Sequence, residues 1–278
     1  MTSTEGHPLA RHADDVCSLP LVRRLAALLD REVASLREGN ALPRGWHTML
    51  FNTPTRQSDL RHDGAAHLGV TLPDIGLPRL MLGGRQQSFT RDIPIGARVR
   101  RETQEGEVQI KEGRSGRFAI VAVEHRIFVE DEADPAVFEK QDYILREASP
   151  ANRAIAKAKP SPDAEPEDVD FEKTIRPDER LLFRYSAITD NPHRIHYDHV
   201  YATETEGYPG LVVNGSIPAL FLLELFRNAT RREPSKFSSR NVAPRYCGRP
   251  LRLCGQKVGD AWRLWAVDVA GMTTFSAQ

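Results

Sequence analysis

The chain has 278 residues, with 38 Lys plus Arg against 38 Asp plus Glu, so no global field exists to attract nucleic acid or an anionic membrane. At 40% hydrophobic and 27% charged it has the composition of a globular protein with a substantial core. Its three cysteines, Cys17, Cys247 and Cys254, are odd in number and form no CxxC pair, which argues against a disulfide framework or a zinc cluster. The N-terminal MTSTEGHPLARHADD carries no apolar signal region, and no apolar run approaches the roughly 20 residues that span a bilayer. A cytoplasmic location is expected.

The chain divides into two halves. Residues 148–170, rich in Ala, Pro and charge, cannot bury enough apolar surface for a core and read as a linker. Residues 1–147 and 171–278 are the expected folded halves. The first opens with a helix in which Leu21, Val22, Leu25, Leu28 and Leu29 share a face behind Pro20. A Pro- and Gly-punctuated region follows, and then strands. One begins at Arg85–Phe89 and another covers Ala97–Glu107. Val108–Lys111 and Arg117–Val129 form a hairpin turning at Glu112–Gly116, and Gln141–Arg146 closes the half. Phe118, Ile120 and Ala122 alternate with Ala119, Val121 and Val123, so both faces of that strand are apolar and it is expected to be central.

The second half is expected to open with a strand at Glu179–Ser186. A polar turn (Ala187–Asp198), a short amphipathic piece (His199–Glu206) and a glycine-rich turn (Gly207–Gly210) come next. A strongly apolar helix over about Gly215–Asn228 and strands at Phe237–Ala243, Pro250–Val258 and Trp262–Val269 complete it. Strands in series without intervening helices, around a buried helix in each half, indicate an α+β fold rather than a parallel α/β one.

Two features carry chemistry. Tyr185–His199 concentrates three histidines, two aspartates, Asn191, Thr189 and Ser186 where the end of the expected strand runs into a polar turn. The same composition also suits a surface loop with an Asx turn at Asp190-Asn191-Pro192. His193, His196 and Asp198 have no standard metal-ligand spacing. The second feature is Gly207–Pro218, where Asn214 is a candidate N-cap and Gly215 a first-turn residue whose N–H has no intrahelical partner. Such an amide at the positive end of a helix dipole can hold a thioester carbonyl as it becomes an enolate. An acid/base group facing an oxyanion site matches proton chemistry alpha to a thioester.

These residues resemble MaoC-like hydratases, most closely the itaconyl-CoA and mesaconyl-C4-CoA hydratase branch related to mitochondrial 3-hydroxyacyl-thioester dehydratases. The resemblance is carried by Ser186-Ala-Ile-Thr, Asn191, His193-Arg-Ile-His-Tyr-Asp198, Tyr201-Ala-Thr and Glu206-Gly-Tyr-Pro-Gly-Leu-Val-Val213. Trp46-His47, Leu77-Pro78-Arg79, Gly83-Gly84-Arg85, Lys111-x-Gly-Arg-Ser-Gly116 and Gln141-Asp142 extend it to roughly residues 40–275. It implies a double hot-dog, each antiparallel sheet wrapping a central helix, with a degenerate first half and a catalytic second half. It implies hydration or dehydration of an enoyl-CoA thioester, a homodimer, and neither metal nor redox cofactor. His196 becomes the main acid/base, Asn191 or Asp190 the water-positioning residue, and Gly215 the oxyanion donor. His193, Arg194, Tyr197 and Asn214 join the substrate-binding set. Arg79, Arg85 and Arg194 are candidates to meet a distal carboxylate of a C5 diacid or the CoA phosphates, against the alternative of surface salt bridges.

The chain departs from the pattern in four places. Asn191 stands where the broader motif has Asp. Asp190 and Pro192 replace a large apolar and a small residue, and Asn214 replaces a histidine. These departures leave open a non-catalytic acyl-thioester binding module, and the fold also allows a thioesterase.

Overall fold

The computed structural model describes residues 11–52, 54–65, 75–77, 79–113, 116–147 and 168–278. The first half contributes β1 (Arg11–Val16), α1 (Leu19–Leu28), β2 (Arg79–Phe89), β3 (Arg98–Gly113), β4 (Gly116–Val129) and β5 (Val137–Arg146). The second contributes β6 (Phe171–Ile175), α2 (Glu179–Ile188), α3 (Ile217–Thr230), β7 (Lys236–Asn241), β8 (Leu251–Val258), β9 (Ala261–Val267) and β10 (Thr273–Ala277).

All ten strands join one antiparallel sheet in the order β1-β3-β4-β5-β2-β7-β10-β9-β8-β6. Renumbered within each half, both sets of five read first, third, fourth, fifth, second from the outer edge inward. The two copies meet at β2 and β7, paired from Gly84↔Arg240 to Ser88↔Lys236. The duplicated order is a fold-level repeat that no short sequence period announces. Helices α1 and α2 each follow the first strand of their half and pack against one another.

The halves differ in what fills their concave faces. In the second, α3 lies against β6, β8 and β9 and buries Ile217, Leu220, Leu222, Leu223 and Phe226. In the first, the one-turn helix Trp46–Met49 contributes buried Trp46 and Met49, and no long helix follows α1 among the described residues. Trp46 pins this turn to α3, its Nε1 donating to Glu224 Oε1 at 3.0 Å.

Several expectations change. Glu179–Ser186 is not a strand but most of α2. Leu182, Tyr185 and Ile188 are buried at a three-residue spacing, and Asp178 caps the helix by accepting from Leu181 N at 2.9 Å. The helix α3 starts at Ile217, not Gly215, and Ser216 occupies the cap position. Ala97–Glu107 and Val108–Lys111 are one long strand, β3, with a register shift between Glu105 and Val108. Strand β2 starts at Arg79, six residues earlier than expected. Polar β1, short β6 and terminal β10 are additions. Strand β4 is central, flanked by β3 and β5. Residues 148–167 of the expected linker, the hairpin-tip residues 114–115 and the side chain of Arg79 lie outside the described part. Cys17 and Cys254 are buried and Cys247 is half-buried, and none of the three is in a disulfide. Among the described residues no helix is long and apolar enough to cross a membrane.

Candidate active site

A cavity of about 610 Å³ opens between the two halves. His193, His196, Asp190, Asn191, Asn214 and Gly215 line it from the second half, and Arg85 lines it from the first.

His196 is fixed by its backbone neighbourhood. It ends the short 3₁₀ turn Arg194–His196. Val212 N donates to Ile195 O at 2.9 Å, and Val213 N to Arg245 O at 2.8 Å, so the 211–213 segment is held between two loops. His196 Nδ1 stands 2.8 Å from Val212 O. A carbonyl oxygen only accepts, so Nδ1 carries the hydrogen and the Nε2 lone pair is available. Burial pushes the imidazole down to about 4, against a smaller upward pull from the Val212 hydrogen bond. The ring is therefore neutral near pH 7, as a proton acceptor must be.

The 3₁₀ turn also sorts the neighbouring side chains. With three residues per turn, His193 and His196 fall on one side and Arg194 and Tyr197 on another. The two histidine rings meet edge to face with centroids 5.5 Å apart. Arg194 turns away. It donates to Asp198 Oδ2 through Nε at 3.1 Å and Nη2 at 2.8 Å, and its guanidinium lies over the Tyr201 ring. Tyr197 is 53% exposed. Neither Arg194 nor Tyr197 reaches the cavity, contrary to the sequence expectation. Asp198 is also committed elsewhere, accepting from Tyr201 N at 3.0 Å, so it does not converge with the two histidines.

Asp190 and Asn191 have local tasks as well as cavity positions. Asp190 adopts a left-handed φ of 46° just beyond α2, and Asn191 N donates to Ser186 O at 2.9 Å, which closes a Schellman turn. Asn191 Oδ1 accepts from His193 N at 3.2 Å, the expected Asx turn. The left-handed residue breaks the extended geometry that would have sent these neighbours to opposite sides, and both face the cavity.

Asn214 is no N-cap in the expected sense. Its Oδ1 accepts from Ser216 N at 3.1 Å and its carbonyl from Ile217 N at 3.1 Å, so it closes the turn that launches α3. Gly215 sits within that turn, two residues before the first helical residue, at the positive end of the helix dipole.

The loop after the short 3₁₀ turn Gln57–Asp59 supplies residues that the sequence alone does not single out. Asp63 O accepts from Arg194 N at 2.9 Å, and Asp63 Oδ2 lies 3.9 Å from His193 Nε2. Gly64, at φ 79°, lets the Pro192 carbonyl approach so closely that a β-carbon there would sit 2.4 Å from its oxygen. Burial holds His193 below its usual range, and Asp63 works in the opposite direction.

The family described as hydroxyacyl-thioester dehydratase type 2 matches residues 45–247. A mesaconyl-C(4)-CoA hydratase of Chloroflexus aurantiacus is 38% identical over 265 residues, covering 95% of this chain and 92% of that protein. The chain belongs to the hydroxyacyl-thioester dehydratase type 2 family. This dehydratase is a hydro-lyase of the hydratase/dehydratase kind. A crystal structure of a MaoC-like dehydratase from Phytophthora capsici superposes with a TM-score of 0.72 at 11% identity, covering 97% of this chain and 94% of that one. A Mycobacterium tuberculosis protein described as having a double hot-dog fold does so at 0.57 with 12% identity, covering 97% and 94%. The dehydratase is an α+β double hot-dog.

A buried polar belt also lies on the concave face of the first half's strands, which the sequence reading does not find. Glu139 is its centre, accepting from His47 Nε2 at 3.0 Å and from the amides of Gln87 and Gln141. The signal was present as polar residues at alternate positions of β5 (Glu139, Gln141, Tyr143), on a strand otherwise read only from Gln141 onward.

Proposed function

We propose that the enzyme reversibly adds water across the 2,3 double bond of an enoyl-CoA, with a C5 dicarboxylic acyl group of the itaconyl or mesaconyl kind. The observation that carries this reading is a neutral His196, its Nδ1 hydrogen committed to Val212 and its Nε2 free, in the same cavity as Gly215. The 38% identity to a mesaconyl-C(4)-CoA hydratase over nearly the whole chain supports the substrate class.

In the hydration direction His196 Nε2 takes a proton from water as the water oxygen bonds to C3. The displaced π electrons move onto the thioester oxygen, and the Gly215 N–H at the start of α3 holds the resulting enolate. The imidazolium then returns the proton to C2, which restores the neutral ring and completes the addition. Asn191 and Asp190 position the water, and His193 and Asn214 shape the wall beside it. Residues 1–147 form the acyl side of the cavity and 171–278 the catalytic side. A homodimer in the cytoplasm completes the reading.

The test is a panel of crotonyl-, itaconyl-, mesaconyl- and longer enoyl-CoA thioesters, followed by loss of enoyl-thioester absorbance and by the mass gain of water, with His196→Ala in parallel. Turnover by the wild type that vanishes in the variant is expected. Wild-type protein that binds these thioesters without converting any would overturn the proposal in favour of a binding module.

A further inference from the structure

The hydration step uses only the second half's wall of the cavity. The opposite wall is built from strand register. Arg101 and Thr103 on β3, His125 and Ile127 on β4, Glu139, Gln141 and Tyr143 on β5, and Arg85 and Gln87 on β2 are matched through cross-strand pairs and share one face. Apolar side chains bound this belt on both sides, Val99 and Val137 at one end and Val121 and Leu145 at the other.

The belt holds more positive than negative charge. Arg85 and Arg101 each bury an Nε that has no hydrogen-bond partner. Glu139 attracts both guanidiniums but accepts a hydrogen bond from neither. Its two oxygens already accept from His47, Gln87 and Gln141, and Arg85 Nε stands 3.8 Å from Oε1, beyond hydrogen-bonding distance. Burial pushes His125 down to about 4, so it is neutral near pH 7. Asp15 attracts Arg101, but its Oδ2 accepts from Phe51 N at 2.6 Å and it lines a separate groove. The Tyr143 hydroxyl is directed at Gln141 Oε1, 2.5 Å away. Two half-buried guanidiniums, each with an unpartnered Nε, therefore face the cavity beside a single belt carboxylate that already accepts three hydrogen bonds, an arrangement that favours a second anion. Arg85 also lies close enough to the Tyr185 phenol to act on it, and that phenol is hydrogen-bonded by Ser216, the neighbour of Gly215.

We propose that Arg85 and Arg101 form a carboxylate subsite that receives the free acid group of the acyl chain and makes the enzyme selective for half-thioesters of dicarboxylic acids. The proposal rests on the hydratase reading for the position of the thioester. Fork-shaped guanidiniums suit a carboxylate, and the short chain of a C5 diacid lets one cavity span both ends.

The experiment separates binding from turnover by using saturated ligands. Methylsuccinyl-CoA, esterified at the carboxyl remote from the methyl branch, carries the free carboxylate. 3-Methylbutyryl-CoA has a methyl group in its place. Calorimetry with the wild type is expected to show methylsuccinyl-CoA binding about 30-fold more tightly or better, the scale of a buried charge pair. R85Q and R101Q are expected to lose that preference while binding 3-methylbutyryl-CoA within about threefold of wild type, since only the anion contact is removed. R85K and R101K keep charge and bulk for folding, and are expected to lose roughly fivefold or more on the carboxylate ligand because an ammonium cannot fork. Equal affinities in the wild type, or a preference surviving in all four variants, overturns the subsite. Wild-type protein with the preference but no turnover on mesaconyl-CoA or crotonyl-CoA supports the subsite and overturns the hydratase reading instead.

Discussion

His196 Nδ1 and the Val212 carbonyl oxygen lie 2.8 Å apart, and this one contact sets the tautomer of the imidazole and aims its other nitrogen. Replacing His196 by Gln keeps bulk and a donor but removes the proposed base. It is expected to lower kcat by roughly 10²–10⁴-fold with a much smaller change in KM, the usual span for a positioned acid/base. Steady-state kinetics on the best enoyl-CoA measures both.

The acid limb of the pH profile follows from the same environment. Burial places His196 at about 4, so Nε2 stays unprotonated until the pH approaches that value. Activity should therefore hold through pH 6 and fall as the pH drops toward 4, provided the fold survives. A limb centred near 6.5 in kcat/KM would mean that the ring is hydrated, and the proposed role would need revision.

Fold stability has its own pH dependence, of the same sign. His125 and His196 are held at about 4 by burial, whereas in the unfolded chain they titrate at the ordinary value of 6.5. Between those limits the unfolded chain binds more protons, so stability is full above 6.5 and declines as the pH falls. Each histidine contributes a slope of roughly 1.4 kcal/mol per pH unit over that window. Urea midpoints at pH 7.5 and 5 should show the decline, and His125→Gln should make it shallower. An unchanged midpoint would contradict the burial of both rings.

The junction between the halves makes a separate prediction. Glu224 Oε1 accepts from Trp46 Nε1 at 3.0 Å and from Arg227 Nη1 at 2.6 Å, while Arg31 Nε stands 3.6 Å from Oε2. Glu224→Ala leaves Arg227, 8% exposed, with Glu233 as its remaining carboxylate partner. A loss of roughly 3 kcal/mol is expected for breaking such a buried pair, seen as a lower urea midpoint with the ratio of activities on different thioesters unchanged. A shift in that ratio would show that α3 couples the junction to the cavity.

What the sequence disclosed, and what it hid, has physical causes. Helix α3 was legible because Ala219–Phe226 is almost continuously apolar, and β4 because both of its faces are. Edge strands β1 (RHADDV) and β6 (FEKTI) were not, because an edge facing water needs no apolar period. Helix α2 was misread as a strand because four polar or charged residues and a short apolar cluster fit either period over ten residues. The convergence of His196 and Gly215 on one cavity is legible because each lies in a dense local motif. That of Asp63 and Arg101 is not, because their approach to the cavity depends on strand and loop pairings across tens of residues. Tyr197 lies off the cavity because adjacency to His196 does not decide which side of a 3₁₀ turn a residue occupies.

Gly215 offers the sharpest test of the oxyanion role. A β-carbon at this position would sit 3.2 Å from Asn241 Nδ2 and 3.4 Å from its Oδ1. That amide has little freedom to yield. Its Oδ1 accepts from Arg245 Nη2 at 2.8 Å, its Nδ2 donates to Leu82 O at 3.3 Å, and Arg245 is itself buried and bound to Thr274 O. In Gly215→Ala the glycine peptide must therefore shift, and its N–H moves off the enolate position. A fall of roughly 10–100-fold in kcat with near-normal binding of a saturated acyl-CoA is expected, somewhat below the loss of a whole oxyanion donor. Removing the obstruction provides the control. Gly215→Ala combined with Asn241→Ala should recover part of the lost kcat, because the new methyl group can occupy the vacated space. If the double variant is no faster than Gly215→Ala while Asn241→Ala alone stays active, displacement against Asn241 is not the cause, and the assignment of the Gly215 amide to the enolate fails with it.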